Sequence, residues 1–291
     1  MKGIILAGGS GTRLHPVTLT VSKQLLPVHD KPMVYYPLSV LMLADIRDIL
    51  IICAPESIDQ FRRLLGDGSR YGIEIDYAVQ PSPNGLPEAF IIGADHIGDD
   101  SSALVLGDNI FHGNAFSAVM EEYSGDVDGC VLFGYPVGDP QRYGVGEVDA
   151  DGRLVSIEEK PGSPRSNLAI TGLYFYDNEV VDIAKNLRPS ARGELEISDL
   201  NRVYMERGKA KLVNLGRGFA WLDTGTHESL AQAGHYVRTI EERQGVGIAV
   251  LEEVALRKGF IDADACYRRG EELAKSRYGR YVMRVAEEFR R

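Results

Sequence analysis

Close to the N-terminus the chain reads Leu6-Ala7-Gly8-Gly9-Ser10-Gly11-Thr12-Arg13-Leu14, directly after a short apolar run at 3–7. Glycines at the end of a strand let backbone N–H groups turn toward an anion without Cβ interference, which is how loops cradle phosphates. A dinucleotide fingerprint starting at Gly9 needs glycine where Leu14 stands. A Walker loop starting at Gly8 needs glycine and lysine where Arg13 and Leu14 stand. The loop therefore suits phosphate in a different register. Arg13 and Lys23 lie just beyond it. Arginine offers a planar fork to phosphate oxygens and lysine a point charge. Substitution at phosphorus needs such cations at the reacting phosphate and the leaving group. Either residue taken alone suits a solvated surface; their place behind the loop turns the reading toward phosphate.

Two carboxylates complete the set. Asp108 follows an apolar run at 103–106 in Leu106-Gly107-Asp108-Asn109. The C-terminal end of a sheet strand is where open α/β sheets bind ligands. A carboxylate there suits Mg²⁺, which takes few protein ligands together with phosphate oxygens. Asp223, in Trp221-Leu222-Asp223-Thr224-Gly225-Thr226, is bounded by turn residues. It reads either as a second ligand of the same ion or as a helix N-cap. The six histidines form no ligand pair, and His15 reads as a packing or hydrogen-bonding residue. No Ser/His/Asp or Cys/His set is apparent.

The elements that position these residues alternate. Strand-like runs stand at 3–7, 48–54, 102–106 and 130–133, the second apolar on consecutive positions as a strand buried on both faces requires. Helical patterns fall between and after them at 33–44, 56–65, 86–97 and 115–123. Strand, helix, strand in this order predicts an α/β fold, an open and mostly parallel sheet flanked by helices. Pro37 predicts a kink or a late start in the first helix. Beyond 140 the pattern changes. Runs 144–148 and 154–159 flank Asp149-Ala150-Asp151-Gly152 as a hairpin, followed by strands at 170–176 and 211–215 and helices at 197–206 and 228–243. From Glu252 the chain is charged and helical. No internal repeat, low-complexity segment or linker stands out.

Composition closes off other classes. The chain has 291 residues, 44% of them hydrophobic, enough for a substantial core. Its formal charge of −10 disfavours nucleic acid and anionic lipid as partners. Three scattered cysteines, Cys53, Cys130 and Cys266, imply neither a disulfide framework nor a metal knuckle and fit a reducing cytoplasm. The N-terminal apolar run is short and ends in glycine, so it reads as a strand and not a signal peptide. No stretch approaches the roughly 20 apolar residues of a membrane span.

The glycine loop, Pro16 and Lys23-Gln24-Leu25-Leu26-Pro27 together resemble the signature of sugar-1-phosphate nucleotidylyltransferases. The runs 77–83 (YAVQPSP), 105–109 (VLGDN), 158–161 (EEKP), 193–197 (GELEI) and 221–226 (WLDTGT) look like its glucose-1-phosphate thymidylyltransferase branch, in order to about residue 245. The resemblance implies a Rossmann-like nucleotidyltransferase fold. It implies a nucleotide-binding part at about 1–110, a sugar-binding part at about 111–243 and a C-terminal helical extension, 244–291, for oligomer contacts and a possible regulatory site. It implies that Gly8, Gly9, Gly11, Thr12, Arg13, Lys23 and Gln24 meet the triphosphate end of dTTP, that Gln80 and Gly85 meet the thymine, and that Asp108 and Asp223 hold Mg²⁺. Asn109, Gly144, Glu159, Lys160 and Ile170 would line the glucose 1-phosphate pocket. Arg13, Lys23, Asp108 and Lys160 would carry catalysis. Read singly, Gln80 and Glu159 are ordinary polar positions and Gly144 a strand bulge.

The implied reaction is a direct in-line displacement giving dTDP-glucose and pyrophosphate, the first step toward dTDP-L-rhamnose and related deoxysugars. The attacking phosphate is already an anion, so no general base is needed. A cytoplasmic homotetramer is implied, with a feedback site near the C-terminal helices lined by Gly113, Arg217 and Glu253. Gly146 stands where this family would carry a larger apolar residue, which predicts added flexibility near the sugar pocket. Two alternatives stay open. One is a uridylyltransferase, or a thymidylyltransferase acting on another hexose 1-phosphate; the other is a non-catalytic nucleotide-sugar sensor.

Overall fold

The computed structural model describes residues 1–9, 11–150 and 152–290. Ser10 of the glycine loop and Asp151 of the expected hairpin turn lie outside the described residues. In the first half, strands β1 (Lys2–Ala7), β4 (Asp48–Cys53), β5 (Glu74–Val79) and β6 (Ser102–Leu106) run parallel in the order β6-β1-β4-β5. The two-residue strands β2 (Pro27–Val28) and β3 (Lys31–Pro32) form a separate small hairpin. Consecutive apolar residues of β1 and β4 go to opposite faces. Ile5, Ala7, Ile49, Ile51 and Cys53 join one buried cluster, and Ile4, Leu6, Leu50 and Ile52 join another. This is the pattern of a sheet covered on both sides.

The covering helices of this half are α1 (Tyr35–Leu43), α2 (Ile58–Leu65), α3 (Glu88–Ile92) and α4 (Ala94–Ile97). The expected 33–44 helix begins late, at Tyr35, and Pro37 sits in its first turn, where no intrahelical N–H bond is lost. The expected 86–97 helix is split at Gly93 into α3 and α4.

In the second half, β7 (Asn109–Gly113), α5 (Phe116–Tyr123), β8 (Cys130–Pro136), β9 (Gly144–Val148), β10 (Leu154–Glu159) and β11 (Leu168–Tyr176) lead to helices α6 (Val180–Asn186) and α7 (Ile197–Glu206). β12 (Ala210–Asn214) and β13 (Phe219–Asp223) follow. β11 pairs antiparallel with β6, β8 and β9, while β12 joins β8 in parallel, so among the described residues the sheet has nine strands and is mixed beyond β6. β7 and β13 leave this sheet and form their own antiparallel ribbon, with Asn109 opposite Asp223 and Phe111 opposite Trp221. The flexibility expected from Gly146 is not found. Gly146 is buried in β9, and a Cβ there would lie 2.6 Å from Leu212, whose side chain fills the space.

The long helix α8 (His227–Gln244) is capped by Thr226, whose hydroxyl accepts from the Ser229 N–H. Three further helices close the chain: α9 (Leu251–Arg257), α10 (Ala263–Glu272) and α11 (Arg277–Phe289). Leu251 and Ala255 of α9 enter the main core, while Leu256, Cys266, Tyr278, Val282, Val285 and Ala286 form a cluster of their own. Among the described residues, no helix is long and apolar enough to cross a membrane.

Candidate active site

The ends of β1, β6 and β10 and the β7–β13 ribbon surround a cleft of about 430 Å³. The glycine loop forms one wall, with Gly9 and Gly11 at positive φ of 97° and 56°, a region open to glycine at little cost. Gly8, Gly9, Arg13 and Gln24 line the cleft. Gly11 and Thr12 stand behind, where Gly11 O accepts from the Thr18 hydroxyl at 2.8 Å and Thr12 opens a short 3₁₀ turn. The ring of His15 is exposed, and it is the His15 carbonyl that meets His227 Nε2, at 3.3 Å. Of the two roles expected at His15, packing does not hold, and the hydrogen bond there is made by the backbone carbonyl.

Asp108, the residue before β7, and Asp223, the last residue of β13, both line the cleft. Asp223 closes β13 directly across from Asn109, and the Thr224 hydroxyl donates to the Asp108 carbonyl at 2.8 Å. The N-cap alternative for Asp223 fails because Thr226 takes that place. Lys23 is 8% exposed and its ammonium meets Asp108 Oδ2 at 2.5 Å. Burial raises the pKa of Asp223, and the charge of Asp108 raises it further, while Lys23, Arg13 and Arg142 oppose the shift. Two carboxylates side by side with the Lys23 and Arg13 cations offer a hard, all-oxygen donor set of the kind Mg²⁺ takes. The Arg13 guanidinium and the Asp223 carboxylate both come within 3.2–3.3 Å of where a Cβ would stand on Gly225.

At one end of the cleft, Gln80 is buried and donates to Glu88 at 2.7 Å, with Gly85 O a further acceptor at 3.4 Å. At the other end, Glu159 accepts from the Ser198 hydroxyl at 2.6 Å and pairs with Lys160 at 3.3 Å. Lys160 holds φ at 46°, which turns its side chain just past the end of β10. Gly144 and Ile170 complete this wall. Asn109, buried, has its oxygen toward Trp221 and its nitrogen toward Asp108.

Arg142, Tyr143, Arg192, Glu196, Ser198 and Trp221 also line the cleft and were not picked out as site residues from the sequence. Arg192 is fixed by two bonds to Glu196, at 3.1 and 2.6 Å, and lies 3.9 Å from Glu159. The available signals were adjacency to quoted motifs and, for Trp221, its being the single tryptophan of the chain. Gly113 and Arg217 lie toward one end of the ribbon, where Gly113 pairs with Phe219. Glu253 is on α9, where it accepts from Tyr281 and Arg257. The His29, Asp30 and Glu241 cluster has metal-like spacing, but the Lys31 ammonium already sits 2.6 Å from Asp30 and 3.0 Å from Glu241 and supplies the charge.

With this geometry in view, the comparisons with known proteins agree. The nucleotidyl transferase family model matches residues 2–239. The chain belongs to the nucleotidyl transferase family. It is 59% identical to a glucose-1-phosphate thymidylyltransferase of Neisseria meningitidis over 98% of this chain and 99% of that protein. It is 53% identical to the Mycobacterium tuberculosis protein of the same name, over 99% of each. A Bacillus anthracis protein described as a glucose-1-phosphate thymidylyltransferase, crystallised with sucrose, superposes with a TM-score of 0.76 at 41% identity, covering 82% of this chain and 95% of that one. The resemblance drawn from the sequence motifs therefore holds over nearly the whole chain.

Proposed function

We propose that this enzyme transfers a deoxythymidylyl group from dTTP to α-D-glucose 1-phosphate. The observation that carries the reading is the convergence of Asp108 and Asp223 with Lys23 and Arg13 at the mouth of the glycine loop. The near-full-length relatives that bear the name of this activity support it.

A phosphate oxygen of the sugar phosphate attacks the α-phosphorus of dTTP. The bond from that phosphorus to the β-phosphate bridging oxygen breaks, and pyrophosphate leaves with the electron pair. The loop amides, Arg13 and Lys23 take the triphosphate charge, and Lys160 and Arg192 face the sugar phosphate. Glu159, held by Ser198, accepts sugar hydroxyls beside Gly144, Ile170 and Asn109. Gln80 and Gly85 meet the base. Asp108 and Asp223 would hold Mg²⁺, which supplies charge neutralisation at the α-phosphate. The protein's contribution is to align two mutually repelling anions.

The proposal includes the division at about 110 and 243, a cytoplasmic homotetramer, and a second nucleotide-sugar site at Gly113, Arg217 and Glu253 completed by a partner subunit. The test is pyrophosphate release with dTTP and UTP against a panel of hexose 1-phosphates, with Mg²⁺ and with EDTA. Preference for dTTP and glucose 1-phosphate, abolished by EDTA, supports the reading. Preference for UTP or another sugar phosphate moves it to the neighbouring activities, and ligand binding without turnover makes the protein a sensor.

A further inference from the structure

Asn109 makes three hydrogen bonds through one buried amide. Its Oδ1 accepts from the indole N–H of Trp221 at 2.6 Å and from the backbone N–H of Gly172 at 3.1 Å, while its Nδ2 donates to Asp108 Oδ1 at 2.9 Å. The orientation of this amide is chemically unambiguous. An indole N–H and a backbone N–H can only donate, so the atom they share must be the oxygen. The nitrogen is therefore turned to Asp108, where a donor is the correct partner for a carboxylate. A flipped amide would set oxygen against oxygen there.

The surroundings are built for this arrangement. Gly172 falls where the β11 ladder shifts register between Ile170 and Tyr174, which leaves its N–H for Asn109. A Cβ at position 172 would stand 2.7 Å from Asn109 Oδ1 and drive the amide away. Trp221 lies two residue pairs along the ribbon from Asn109, a diagonal cross-strand position within reach of a long aromatic side chain. Its ring is clamped edge-on by Tyr143 at 5.0 Å and Tyr135 at 6.2 Å. The Arg142 guanidinium in turn lies over Tyr143, 5.4 Å from the ring centroid.

We propose that Trp221 is a positioning residue for the metal-binding carboxylate, acting through Asn109: its N–H locks the amide, and the amide locks the rotamer of Asp108. The inference rests on the assignment of Asp108 and Asp223 to a metal–nucleotide site. It also gives Asn109 a second duty. With both oxygen lone pairs and one N–H committed, the amide has a single N–H left to offer a sugar.

The test uses the full-length protein with dTTP and Mn²⁺ and without sugar phosphate, so that no turnover occurs. The affinity for dTTP is measured calorimetrically with Mn²⁺ and with EDTA for wild type, Trp221→Phe, Asn109→Leu and the double variant. In wild type the metal tightens dTTP binding. The expectation for Trp221→Phe is a loss of about tenfold in the Mn²⁺ arm with the EDTA arm unchanged, for Asn109→Leu a loss at least as large, and for the double variant no further loss, since the two act in series. Full metal enhancement in Trp221→Phe overturns the proposal. Equal weakening in both arms also overturns it, because general damage to the cleft does not distinguish the metal. Absence of metal enhancement in wild type would instead remove the Asp108–Asp223 assignment itself.

Discussion

Replacing Lys23 by methionine separates the two duties of its charge. The Lys23 ammonium lies 2.5 Å from Asp108 Oδ2, with side-chain exposures of 8% and 23%. At an effective dielectric near 20, two unit charges that close attract by about 7 kcal/mol. Desolvation of both groups cancels much of this, and a hydrogen bond to a charged group keeps a net of about 1.5–3 kcal/mol. A cation approaching both carboxylates without nucleotide must first displace that ammonium. Methionine keeps an unbranched apolar stem close to the lysine's and removes the competitor. Binding of free Mn²⁺ to the nucleotide-free protein is then expected to tighten by about 10- to 100-fold, that energy range converted at ~1.4 kcal/mol per tenfold. Turnover is expected to fall by about 100-fold or more, because the same ammonium is needed at the triphosphate. Free Mn²⁺ counted by electron paramagnetic resonance gives the first quantity and pyrophosphate release the second. Unchanged or weaker Mn²⁺ binding in Lys23→Met would refute the reasoning that Lys23 and the metal compete for Asp108.

Three other substitutions probe the sugar side and the frame. Arg192→Ala is expected to raise the KM for glucose 1-phosphate by about tenfold or more with little change in the KM for dTTP; steady-state kinetics with each substrate varied decides it, and a selective effect on dTTP would move Arg192 to the nucleotide. Lys31→Met leaves Glu241 buried without its cation and is expected to cost about 3–5 kcal/mol in urea unfolding, with Lys31→Met/Glu241→Leu recovering much of that; a single-variant cost near zero would make the pair dispensable. Burial holds the pKa of Glu252 above the ordinary glutamate range, against the Tyr278 hydroxyl that donates to it. A carboxylic acid with a raised folded pKa stabilises its protonated form, so wild type loses this contribution as pH rises from about 4.3 through the folded pKa. Glu252→Gln should flatten that fall and raise the melting temperature at pH 8 by on the order of 2 °C; a lower melting temperature at pH 8 would reverse the argument.

The parallel core and the phosphate loop were legible because they are local. β1, β4 and β6 announce themselves as apolar runs of strand length, and the glycines, Arg13 and Lys23 follow within one segment. The β7–β13 ribbon was not legible from pattern. Each strand has five residues, and their pairing joins positions 109–113 and 219–223, a register set by tertiary packing and not by local propensity. For this reason Asp223 could be read from its neighbours as an N-cap, although the family motif placed it beside Asp108. The late start of α1 follows from Pro37 as expected, whereas the split at Gly93 was not foreseen. Arg142 and Arg192 escaped because exposed loop arginines look alike until the fold turns them to one cleft. Gly146 misled in the opposite direction: a glycine signals freedom in a sequence, but here Leu212 fills the space a side chain would use.

The central claim is that Asp108 and Asp223 share one metal-bound triphosphate. The most direct measurement is anomalous diffraction from crystals grown with Mn²⁺ and dTTP. The account predicts one Mn²⁺ peak touching oxygens of both aspartates and of the nucleotide phosphates, with Lys23 turned from Asp108 toward phosphate. Manganese bound away from either carboxylate, or nucleotide lying outside the glycine loop, would contradict it.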